Sequence, residues 1–218
     1  DLLKARARKV SSDLPEKGVF ALRSPDRPNP ISFSIIRLVK KRDAGILEVD
    51  NLDLIDGTPV LDIKPYQPGW DAVFAATTHD RTEKIRKMGP FRYRESLIRE
   101  AVNYHGEWCT GAAMAVRIAE KASGLVDGDL RRSDISVDPG TDPCLADAII
   151  GITGARPGNR RIRLTGLRDR QASMNQVKFF FSERICIFSV RSGDREPDAV
   201  FAADEESLFS LECRPSSE

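Results

Sequence analysis

The period of the hydrophobic pattern changes partway along this chain, and that change constrains the fold more than any single motif. Up to residue 71 the apolar side chains come in short runs bounded by polar turns: Ile35-Ile36-Arg37-Leu38-Val39, Ile46-Leu47-Glu48-Val49, Leu52-Asp53-Leu54-Ile55 and Val60-Leu61-Asp62-Ile63. Such runs predict strands. The last two are joined by the turn-forming Asp56-Gly57-Thr58-Pro59, and Pro65, Pro68 and Gly69 end the final one. From residue 91 the spacing is helical over 93–104 and 110–123, the second segment Ala-rich and ending at Gly124. A short helix over 144–152 stops at Gly154, and strands are expected at 162–164, 177–181 and 185–190. Helices followed by strands predict an α+β domain rather than a regular βαβ succession. The chain is therefore expected to mix α and β structure in two pieces. The polar residues 72–90, closed by Gly89-Pro90, read as the linker.

Composition narrows the class. With 40% hydrophobic and 31% charged residues, collagen-like, coiled-coil and mostly disordered chains are excluded. No apolar run approaches the roughly 18–20 residues that span a bilayer, so no membrane partner is expected. Asp1-Leu2-Leu3-Lys4-Ala5-Arg6 has neither an initiator Met nor the apolar core of a signal peptide. The expectation is a segment that begins inside a longer, cytoplasmic chain. The four cysteines form no CxxC pair, so free or metal-bound thiols are expected before disulfides. Cys186 reads as a small apolar strand residue, and Cys213 as a residue without a role.

The net charge of +1 hides a segregation. Residues 1–42 hold eleven Lys/Arg against four Asp/Glu, whereas 43–71 hold seven acids and one Lys. Residues 156–170 carry six Arg and one Asp, and 193–218, read as an acidic tail, carry eight acids and two Arg. Basic patches of this kind neutralise phosphates, which makes Arg27, Arg160, Arg161 and Arg163 candidate RNA contacts. The competing reading is a set of solvated faces.

Arg23-Ser24-Pro25-Asp26-Arg27-Pro28-Asn29-Pro30 packs three prolines into eight residues. Proline fixes φ and extends its predecessor, so the loop is stiff before it binds anything. A stiff loop lowers the entropy cost of gripping a carboxylate or phosphate with Arg23 and Arg27. The alternative is that this loop and the Asp56-Gly57-Thr58-Pro59 turn are simply well-made turns. The segment Gly18-Val19-Phe20-Ala21-Leu22-Arg23-Ser24-Pro25-Asp26-Arg27-Pro28-Asn29-Pro30-Ile31 resembles the signature of the TsaA/TrmO (YaeB-like) family. The run from Leu52 through Asp56-Gly57-Thr58-Pro59 to Lys64-Pro65-Tyr66 resembles its second block. The resemblance implies a compact, dimerising β-barrel that binds S-adenosylmethionine and methylates N6 of threonylcarbamoyl-adenosine beside the tRNA anticodon. It implies cofactor contacts by Arg23, Phe33, Ile55, Asp56, Gly57 and Thr58. The family usually has His where this chain has Asp26, the candidate general base, and Gly-Leu where it has Ser32-Phe33. The match covers about residues 18–71, the later half of the domain, so a partial barrel over 1–71 is expected.

Tyr104-His105-Gly106-Glu107-Trp108-Cys109-Thr110-Gly111 lies where one expected helix gives way to another. A Cys near a helix amino terminus has its thiolate stabilised by the local dipole. His and Cys four apart share a face if that turn is helical. Cys144, opening another expected helix, supplies a third soft ligand. One imidazole and two thiolates suit zinc, with the fourth place left for water, substrate, Glu107 or Asp147. The competing reading is three ordinary, partly buried residues. The His105 block, with Arg117 beyond it, resembles the HGHxCPG…GxR motif of the FmdE family, named after a formylmethanofuran dehydrogenase subunit. Asp142-Pro143-Cys144-Leu145-Ala146-Asp147-Ala148-Ile149-Ile150, then Thr153-Gly154 and Pro157-Gly158-Asn159, resembles its CxxDAIQ…TG…PGN block. The resemblance covers 91–192 and implies an α+β domain that binds a metal, commonly zinc, through the motif His and Cys residues. Glu107 stands at the family's second His, and Thr110 at its Pro. The joint expectation is a tRNA methyltransferase-like domain fused to a metal-binding domain. A non-catalytic zinc-binding accessory or sensor protein is the alternative.

Overall fold

The computed structural model describes residues 3–6, 8, 11–22, 27–50, 52–74, 76, 80–126, 128–164, 175–191, 193 and 195–216. The chain divides into two compact units, Asp1–Ala76 and Thr77–Glu218. No described helix is long and apolar enough to cross a membrane.

The first unit is built from two antiparallel ribbons. β1 (Lys4–Ala5) pairs with β2 (Lys17–Gly18), and β3 (Arg37–Lys41) pairs with β4 (Leu47–Asp50). The β3–β4 register shifts between Leu38 and Lys40, as at a β-bulge. Exposed cross-strand ion pairs, Arg37–Asp50 at 2.5 Å and Arg42–Glu48 at 2.6 Å, hold the ribbon. Each is worth about 0–1 kcal/mol at such exposure. α1 (Pro68–Asp71) is a single turn. The strands expected at 52–55 and 60–63 do not form; Thr58 N–H instead donates to Ile55 O across the turn at 3.1 Å. A strand needs a neighbour for its backbone groups, and none lies alongside these runs among the described residues. No closed barrel is present among those residues either.

The second unit is a four-stranded antiparallel sheet sharing one core with helices. α2 (Arg81–Lys87) starts inside the stretch expected as linker: Ile85 is buried, and Arg81 pairs with Glu100 and Asp129. α3 (Pro90–His105) starts with Pro at its first position and ends at Gly106, whose φ of 99° is left-handed. α4 (Thr110–Ser123) buries an Ala-rich face, and α5 (Pro143–Thr153) is capped by Asp142, whose side chain accepts from Leu145 N–H. β5 (Ser136–Asp138), β6 (Gln176–Phe180), β7 (Arg184–Val190) and β8 (Phe209–Pro215) follow in spatial order. Val177 and Phe179 on β6, and Cys186 and Phe188 on β7, alternate into the core with Val116, Ile118 and Ile149. The run at 162–164 yields only one parallel bridge, Val137 to Ile162.

Two expectations are corrected here. The residues read as an acidic tail are folded into α6 (Pro197–Ala202), α7 (Glu205–Leu208) and β8, with Val200, Leu208 and Phe209 buried. The acids lie between those apolar residues, so composition concealed the pattern. Cys186 and Cys213 oppose each other in the β7–β8 register and form a disulfide. Neither is therefore an inert residue. Twenty-seven positions separate them, so only strand pairing brings them together.

Candidate functional site

Three helix ends converge in the second unit. His105 is the last residue of α3, Cys109 caps the start of α4, and Cys144 lies in the first turn of α5. The meeting of His105 and Cys109 is not a helical turn, as the spacing suggested, but a reversal at left-handed Gly106. Two other glycines permit the close approach. A Cβ on Gly111 would stand 2.5 Å from Cys144 Cβ, and one on Gly151 would stand 2.6 Å from Glu100 O and Tyr104 Cβ. With methyl groups at those two positions α5 could not pack so closely on α4 and α3.

The convergence brings the donor atoms of His105, Cys109 and Cys144 within 4.8 Å of one another. His105 Nε2 lies 3.4 Å from Cys109 Sγ, and its Nδ1 lies 3.4 Å from Asp147 Oδ2. The His105 side chain is 10% exposed, whereas Glu107, 4.0 Å from Nε2, is 70% exposed. Both thiols are outside disulfides. Burial pushes the Cys144 thiol up to about 11, and the adjoining Cys109, Asp142 and Glu107 act in the same direction. Two neighbouring thiols ionise together only against a local positive charge. Zinc would supply that charge, and one imidazole with two thiolates is a donor set it accepts. The residues fit the ion.

A flank of this site escaped sequence reasoning. Trp108 stacks on Phe201 of α6 with ring centroids 5.7 Å apart, and the Arg94 guanidinium lies 5.0 Å from the Phe201 centroid. Arg117 donates to Phe201 O and Ala203 O, while Thr110 Oγ1 donates to Arg195 O. These contacts anchor α6 beside Cys109. Trp108, Thr110 and Arg117 stood in the quoted motif, but nothing in the sequence tied them to Phe201 and its neighbours.

The expected cofactor and RNA residues are placed less uniformly. Arg23 and Asp26 lie outside the described residues. Phe33 is 66% exposed and Ile55 84% exposed. Gly57 takes a φ of 79° beside Asp56, and Thr58 Oγ1 donates to Ile55 O at 2.6 Å. Arg27 is turned onto its own loop, donating to Asn29 O and Ile31 O. Arg161 must be withdrawn as a phosphate contact. It is 7% exposed and donates to Ile135 O, Thr153 O and Leu130 O, one bond from each guanidinium nitrogen. Arg160 is exposed at a φ of 57°, and Arg163 lies over the Phe180 ring at 4.2 Å.

Known proteins account for both halves of this arrangement. Residues 2–72 match the tRNA-methyltransferase O N-terminal domain. Residues 104–189 match FmdE, described as molybdenum formylmethanofuran dehydrogenase operon. The "Probable S-adenosyl-L-methionine-binding protein" of Archaeoglobus fulgidus is 34% identical in an alignment of 211 residues, covering 86% of this chain and 56% of that protein. That share exceeds either domain match, so the alignment reaches both. The tRNA (adenine(37)-N6)-methyltransferase of Escherichia coli K12 is 46% identical over 76 residues, 34% of this chain and 30% of that enzyme. The mouse protein of the same name is 44% identical over 69 residues, 32% of this chain and 16% of its own length. The chain thus spans about half the length of the archaeal relative and less of the two methyltransferases. It carries a TrmO-type domain followed by an FmdE domain.

Proposed function

We propose that this chain is part of an S-adenosylmethionine-dependent tRNA adenine-N6 methyltransferase whose second unit is a zinc-binding module. The observation that carries the first half is the match of residues 2–72, the segment holding the proline-clamped loop and the Asp56-Gly57-Thr58-Pro59 turn, to the tRNA-methyltransferase O N-terminal domain. The acceptor is the N6 of a threonylcarbamoyl-adenosine, and Asp26 is the candidate base. Methyl transfer of this kind is mainly a positioning problem: the chain must hold the acceptor nitrogen in line with the cofactor's methyl group. A homodimer would bring two such segments together. The exposed Arg160 and Arg163 are the remaining candidates for tRNA phosphates on the second unit.

Tritium transfer from labelled S-adenosylmethionine to tRNA, with protein made from the complete coding sequence, tests this reading. Label at adenine N6 supports it, and no label in any tRNA sinks it. Residues 1–218 alone are expected to bind the cofactor only weakly, because Phe33 and Ile55 stand exposed. Micromolar binding by calorimetry would contradict that expectation.

The zinc half rests on the convergence of His105, Cys109 and Cys144 within 4.8 Å. Purified protein is expected to hold about one zinc per chain, lost in the Cys109→Ala, Cys144→Ala double variant. Metal analysis that finds none after gentle purification removes the idea. A second reading, a non-catalytic zinc-binding accessory protein, is favoured by the first unit's two separate ribbons. Retained zinc without methyl transfer would select it.

A further inference from the structure

His105 presents its two ring nitrogens to different neighbours. Nε2 lies 3.4 Å from Cys109 Sγ, one of the three clustered donors, while Nδ1 lies 3.4 Å from Asp147 Oδ2. We infer that Asp147 is a positioning residue for His105, holding the Nδ1 proton and committing Nε2 to the metal, and is not the fourth ligand. The inference rests on the zinc-binding reading above.

The chemistry follows from the donor inventory. A neutral imidazole carries one N–H, and an ionised carboxylate only accepts. A carboxylate at Nδ1 therefore draws the proton to that nitrogen and leaves the lone pair on Nε2, facing the thiols. It also fixes the plane of the ring. The fold supplies the geometry. Asp147 follows Cys144 by three residues on α5, so one helical turn puts both on the same face. Cys144 meets the donor cluster while Asp147 reaches the back of the ring. His105 is 10% exposed at this contact and Asp147 48% exposed. Water still solvates the carboxylate, while the ring it orients is nearly enclosed. Glu107, the other carboxylate near the ring, lies 4.0 Å from Nε2 and is 70% exposed.

The test compares the full chain with Asp147→Ala and Asp147→Glu. Zinc affinity is measured by competition with a chromophoric chelator. The imidazole tautomer is read by ¹⁵N NMR on zinc-free protein, where His79 and His105 are the two histidines to assign. The unsubstituted chain is expected to hold His105 with its proton on Nδ1. In Asp147→Ala the tautomer should shift toward Nε2–H, and zinc affinity should fall about 10–100-fold. Asp147→Glu should recover part of both. A role in helix packing alone would not move the tautomer. Unchanged affinity and tautomer in Asp147→Ala, with zinc still bound by the unsubstituted chain, overturns the positioning role and leaves the metal site standing. No zinc on the unsubstituted chain overturns the metal reading and this inference with it.

Discussion

The two units of this chain invert the relation between motif and core. The first matches the tRNA-methyltransferase O N-terminal domain over residues 2–72, yet its buried apolar residues are Leu14 and Val19 among those described. Its apolar strand and turn residues face water: Leu38 is 57% exposed, Leu61 73% and Ile55 84%. The second unit encloses Phe179, Phe188, Ile118 and Ile149 almost completely. A dense motif can thus lie on an exposed surface, whereas a sparse one can sit on a well-buried core. An isolated ribbon is marginal in water, and three or more strands with a buried face are needed for independent stability.

Substitutions sharpen that contrast. The largest effect is expected for Phe188→Ala, which empties a site bounded edge-on by Phe179 and Phe209. It should cost the second unit about 3–5 kcal/mol in denaturant unfolding. Amide exchange in β6 and β7 should accelerate while β3 and β4 are unaffected. Loss of protection in β3 and β4 as well would break the division into two units. Next comes Gly111→Ala, whose methyl group collides with Cys144 Cβ. About 1–3 kcal/mol of overpacking is expected, with weakened zinc retention as the distinguishing readout. Ile55→Ala should shift unfolding by no more than about 0.5 kcal/mol, since the side chain is 84% exposed. A larger loss would mean that Ile55 is covered in solution.

The helical half of the second unit was legible because its punctuation is local. The helices expected at 93–104 and 144–152 fall within three residues of the ends of α3 and α5, whose bounds Pro90, Gly106, the Asp142 cap and Gly154 mark, and the periodicity between them is amphipathic. The candidate metal ligands were legible for a related reason, since soft donors at helix ends are chemically conspicuous. The strands expected at 52–55 and 60–63 failed for want of a partner, a non-local condition that residue type does not record. The folded end of the chain was hidden by its charge. Val200, Leu208 and Phe209 are buried among acids that stay in solvent, so the charge count did not disclose the apolar face.

The amino-acid sequence by itself carried the motifs that each half shares with a known domain, the change from β to α+β character, and the candidate trio His105, Cys109 and Cys144. These rest on short-range order: motif residues, helix caps and turn chemistry act over a few positions. Tertiary structure alone decided that Cys186 meets Cys213, that Arg161 turns all three guanidinium nitrogens onto backbone carbonyls, and that Asp147 stands at Nδ1 of His105. Each depends on contacts between residues far apart in the chain. Such contacts are set by strand register and by how closely helices approach, here through the missing side chains of Gly111 and Gly151.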